Sequence, residues 1–111
     1  MGDDPFVARL EELDLASLEL AERLVGLREA VTEILRARAA GRPVSEIVVS
    51  GPGVPARREV RASWSRLNDA LHAYRVQVVK NLVDSEGMSI ADAARVTGNA
   101  RQVISRLYHS A

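Results

Sequence analysis

The sequence has no cysteine, which excludes a disulfide framework and thiolate metal ligands. Its two histidines, His72 and His109, lie far apart in the chain, so no metal site is expected. Lysine is almost absent: Lys80 stands alone against 14 arginines, and arginine serves phosphate binding at least as well. No apolar run approaches the roughly 20 residues that span a bilayer, so no membrane partner is expected. The first residues, MGDDP, lack the basic start and apolar run of a signal peptide, which makes cytoplasmic residence the expectation. No Ser/His/Asp set, paired carboxylates or cysteine nucleophile emerges, so no catalytic residue, cofactor or enzymatic activity is expected. "LVGLREAVTEIL" has a faint likeness to small helical enzymes such as chorismate mutase. Their sites need inward basic groups, whereas the arginines of this stretch mostly fall off its apolar seam.

What is present fits a small folded protein. The chain has 111 residues with 47% hydrophobic, enough for a core in one domain, or in one small domain with an extension. Its zero net charge is segregated. Residues 1–56 carry 6 Arg against 10 Asp or Glu, a net −4; residues 57–111 carry 8 Arg and 1 Lys against 5, a net +4. A basic half suits an anionic partner. No internal repeat or low-complexity tract breaks the chain.

Asp3, Asp4 and Pro5 form a helix start, an acidic cap followed by proline in the first turn. In the following stretch Phe6, Leu10, Leu13, Leu20, Leu24, Leu27, Val31 and Ile34 recur at steps of three, four and seven, with Ser17 in the one skipped seam position. That is a heptad seam on a helix of residues 1–40. It needs a second helix, and the periodicity fits equally a coiled coil between two copies and a hairpin within one chain. As a homodimer interface it assigns Leu10, Leu13, Leu20, Leu24, Leu27, Val31 and Ile34. Gly41 and Pro43 end the helix. "GRP" also resembles the minor-groove arms of some DNA-binding domains. Residues 41–56 read as a Gly/Pro-rich linker in which "EIVVS" has strand-like composition.

A second long helix is expected from about Arg57 to Val83, with Trp64, Leu67, Leu71, Tyr74 and Val78 stepping by three and four. Trp64, the sole tryptophan, reads as core or interface. Its apolar face widens at Val79, Leu82 and Val83, as a helix does on joining a cluster. After Gly87, "SIADAARVTGNARQVISRLY" reads as helix, glycine turn, helix. Ser89 with Asp92 makes a capping-box-like start. Ile90, Ala93 and Ala94 face one side, Gly98 allows the turn, and Val103, Ile104 and Leu107 face inward. The fold class expected is therefore all-α: a long N-terminal helix, a long second helix and a C-terminal tri-helical region.

That last stretch resembles a helix-turn-helix. Over residues 78–108 the chain is similar to the three-helix domains of homeodomain-like regulators and resolvase-type recombinases. The matching positions are Leu82, Gly87, Ser89, Ile90, Ala94, Thr97, Gly98, Arg101, Ile104 and Leu107. The resemblance implies a DNA-binding domain over 57–111 with its motif at 89–109. Arg101 and Gln102 would meet base edges, and Ser89, Arg95 and Arg106 phosphates, while Ser105 shares the outer side of the reading helix. Ala100 stands where these families carry Ser or Thr as helix cap, which leaves Asn99 as the expected cap. Ala93 is smaller and Val103 more apolar than usual there. The resemblance implies a sequence-specific, nucleoid-associated transcription regulator that binds double-stranded DNA as a homodimer, with no small-molecule ligand evident. The alternative is a helical protein–protein adaptor that does not bind DNA.

Overall fold

Asp4 starts the first helix. In the computed structural model, which describes residues 3–110, its carboxylate accepts the Phe6 N–H at 2.9 Å. Pro5 fills the first turn, where a missing N–H costs nothing. Helix α1 runs unbroken over Pro5–Ala39. It ends where Gly41 takes a φ of 87°, a left-handed backbone that glycine adopts without Cβ strain. Then follow α2, Val44–Ser50, α3, Gly53–Lys80, a π-helical turn, Asn81–Ser85, α4, Ile90–Thr97, and α5, Arg101–Tyr108. Every regular element among the described residues is helical, so the protein is all-α.

Three details depart from expectation. "EIVVS" lies inside helix α2 rather than in extended chain. A lone strand there would leave its backbone groups without a sheet partner, whereas a helix of about two turns pairs them locally and buries Ile47. Arg42, a candidate minor-groove arm, is tied across this helix instead. It donates to Ser50 Oγ at 3.0 Å and lies 3.8 Å from the Glu46 carboxylate. Helix α3 also starts earlier than expected, at Gly53, with Pro55 in its first turn.

The chain divides into two compact units. Residues Asp14–Asn68 make one of them. Within it α1 and α3 run antiparallel: Ile34 Cδ1 lies 3.0 Å from where a Cβ on Gly53 would sit, and the Glu19 carboxylate receives the Arg66 guanidinium, Nε at 3.0 Å. Small residues set the spacing. Ala30 and Ser63 are buried, with Leu20 and Ile47 completing the core. The heptad seam thus turns toward its own chain, the question its periodicity left open. It does so with one position per heptad: Leu20 is buried, and Leu27 and Ile34 are half-buried. The next seam position, Leu24 and Val31, remains exposed. Trp64 is exposed too, so it is no part of this core.

The other unit joins the residues up to Leu13 with those from Asp69 onward. In this part of the seam Leu13 is half-buried and Leu10 exposed. Phe6 and Tyr74 pack ring to ring, centroids 5.8 Å apart. The core gathers Val79 from α3, Ala93 and Ala94 from α4, and Ile104 and Leu107 from α5. Leu82 and Val83 pack against it from the π-helical turn. A π turn is wider than an α turn, so Val79, Leu82 and Val83 reach one cluster, as the widening apolar face foreshadowed. Tyr108 locks the end of the chain to this turn, its hydroxyl donating to Asp84 Oδ1 at 2.7 Å.

Candidate nucleic-acid interface

Helix α4 is placed by its cap. Ser89 has extended backbone, and its Oγ accepts the Asp92 N–H at 3.0 Å. The Ser89 hydroxyl and then the Arg95 guanidinium hold the Asp92 carboxyl below the usual aspartate range. A group whose folded pKa is depressed contributes stability above its unfolded pKa and loses it as pH falls through the folded value. Wild-type protein is therefore expected to melt higher than Asp92→Asn at neutral pH. The difference should shrink as pH drops below the ordinary aspartate value of 3.8 and vanish once pH has passed the lowered folded value. Thermal melts of both proteins across that range check it.

Gly98, φ 72°, closes α4 with its N–H directed to the Ala94 and Arg95 carbonyls. Two residues later the chain enters α5. Its cap position is Ala100, which carries no side-chain acceptor. Asn99 does not replace it: its amide donates back to the Thr97 carbonyl at 3.4 Å. A methyl side chain cannot accept a hydrogen bond, so the first N–H groups of α5 lack the side-chain acceptor that Ser or Thr would give.

Burying Ile104 and Leu107 fixes which side of α5 faces out. Arg101, Gln102 and Arg106 are exposed, and Ser105 is half-buried. The side chains of Arg101, Gln102 and Arg106 make no hydrogen bond or ion pair among the described residues. Arg95 differs. It is exposed on α4 but pairs with Asp92, one turn before it. Apart from half-buried Ser105, the sequence-predicted residues therefore fall into three groups. Arg101, Gln102 and Arg106 share an unpartnered helix surface. Ser89, Asn99 and Ala100 sit at the two helix starts and the turn between them. Arg95 belongs to the cap network of α4. The Asp92–Arg95 pair went unread in the sequence, although its three-residue spacing is a standard helical ion-pair signal.

Among the described residues no cluster of His, Cys, Asp or Glu is arranged to hold a metal ion. No helix among them is long and apolar enough to cross a membrane. No protein-family model matches the chain, and neither a curated protein nor a solved structure shows significant similarity to it.

Proposed function

We propose that the protein is a sequence-specific DNA-binding regulator that acts as a homodimer, with α5 lying in the major groove. One observation carries this reading: the exposed surface of α5, away from buried Ile104 and Leu107, presents Arg101, Gln102 and Arg106, none of them engaged among the described residues. Arginine pairs with the O6 and N7 edge of guanine, and glutamine with the N6 and N7 edge of adenine. Arg106, one turn further along, reaches the phosphate backbone. The uncapped start of α5 has N–H groups to offer a phosphate. The helix–turn–helix order of α4, Gly98 and α5, together with the family resemblance of residues 78–108, supports the same reading. A single small reader binds weakly, and two copies on two half-sites gain affinity through effective concentration. The acidic N-terminal half stays off the DNA.

Binding to a mixed-sequence duplex across a salt series tests the electrostatic part. Affinity is expected to fall steeply with salt, and Arg106→Ala to lower the log–log slope by about 2 for the dimer, the loss of one phosphate contact in each of its two copies. Absence of binding even at low salt would reject the DNA reading. It would favour the helical adaptor, a reading to which the exposed apolar residues of α1 lend support.

A further inference from the structure

The unit Asp14–Asn68 leaves more of its apolar side chains outside than inside. Its buried apolar residues are Leu20, Ala30 and Ile47, whereas Leu18, Leu24, Val25, Val31 and Leu35 of α1 are between 43% and 66% exposed. These five are not scattered. With the exposed Ala21 and Arg28 between them they follow one another at helical steps, so they form one stripe along α1. Contiguous exposed apolar surface of this kind marks an interaction site. The stripe is bounded by one exposed charge at each end: Asp14 lies four residues before Leu18, and Arg38 three residues after Leu35. Arg28 is the only charge within it.

A neighbouring residue extends the surface. In an antiparallel helix pair, the positions that follow the packed residues fall on the same side of both helices. Leu24 and Val31 follow half-buried Arg23 and buried Ala30 on α1, and Trp64 follows buried Ser63 on α3. Trp64, 56% exposed, therefore flanks the stripe.

We propose that this stripe is where a second copy of the chain docks, with the two α1 helices antiparallel about a two-fold axis near residue 26. The charges select both the partner and the direction. A two-fold antiparallel pairing sets Asp14 of each copy opposite Arg38 of the other, and Leu18 opposite Leu35, with leucine and valine between. Arg28 then lies opposite Leu24, which its aliphatic stem can cover. Parallel pairing would stack Asp14 on Asp14 and Arg38 on Arg38, like charges in contact. Asp14 forms no ion pair within the chain among the described residues, and Arg38 donates only to the backbone carbonyl of Arg42. Neither is in an ion pair among the described residues, so both charges are available to a partner. A surface that is complementary to itself is the signature of a closed two-fold dimer. The interface differs from the full heptad seam: Leu13, Leu20, Leu27 and Ile34 are spent inside the chain, and Leu24 and Val31 serve the dimer with a second row of residues.

The pairing supplies the dimer that the DNA reading assumes, yet it stands apart from α5. It is tested without nucleic acid, so its failure would leave the chemistry of α5 untouched. The experiment is sedimentation equilibrium of the whole chain and three variants, with far-UV circular dichroism to verify helicity. Wild type is expected to be a dimer. Asp14→Arg and Arg38→Asp are each expected to weaken it by roughly tenfold or more, because each sets two like-charge contacts into the interface. The double variant, with both charges exchanged, should recover most of that loss. Emission of Trp64 should move to longer wavelength as wild type is diluted into monomer. A wild type that stays monomeric would overturn the proposal. So would single variants that dimerise normally, or a double variant no tighter than the singles.

Discussion

Replacing Ile104 with alanine is expected to cost about 2–5 kcal/mol, a large part of the margin on which a small domain stands. Ile104 is fully buried between α3, α4 and α5. Its neighbours in the cluster include Ala93 and Ala94, and an alanine has no side-chain length with which to fill a cavity. Helix α4 is also held at both ends, by the Ser89 cap and the Gly98 turn, so it cannot slide inward cheaply. The cost should therefore lie toward the upper part of the range. Urea unfolding followed by circular dichroism checks it. A midpoint unchanged from wild type would mean that the three C-terminal helices pack in some other way. Because the outward residues of α5 are aimed by this burial, the same substitution should also abolish DNA binding.

Arg101→Ala is expected to act on binding alone. Its side chain is exposed and touches no polar partner among the described residues, so the fold should be unaffected. A paired arginine–guanine contact contributes about 1–3 kcal/mol of discrimination. With two copies on one site the loss becomes about 2–6 kcal/mol for the dimer, and it should fall on one base pair of each half-site. Arg106→Ala should instead weaken all sequences alike. Titrations of a cognate duplex and of duplexes changed at single positions separate the two. Equal weakening on every duplex by Arg101→Ala would make it a phosphate contact rather than a reader.

Long-range order in the sequence proved easiest to read. The period of Leu13, Leu20, Leu27 and Ile34 revealed a helix that needs a companion, and the small residues Ala30 and Ser63 show why the companion is α3. They let two backbones approach, but a small residue in a sequence does not say which helix it faces. For the same reason the split of the seam was illegible. Leu20 and Leu24 look alike in the chain and differ only in their neighbours, one buried and one exposed. Helix α2 was hidden because "EIVVS" has the composition of a strand, and only the absence of a sheet partner decides the matter. The C-terminal core was legible residue by residue: Ala94, Gly98, Ile104 and Leu107 sit where their types demand. The cap of α5 was not, since it rests on what Ala100 lacks and on where the Asn99 amide turns. Arg95 was legible as a surface cation, but its commitment to Asp92 depends on rotamers that no spacing fixes.

The central claim is that α5 reads DNA, and selection from random-sequence duplexes by the purified protein, with Arg101→Ala in parallel, tests it most directly. The expected result is an enriched motif in two related halves about one helical turn apart, retained by wild type as salt rises and lost by the variant. Sequences that remain random after selection, with weak binding that salt removes equally from both proteins, would contradict it: α5 would then be a charged surface and not a reader.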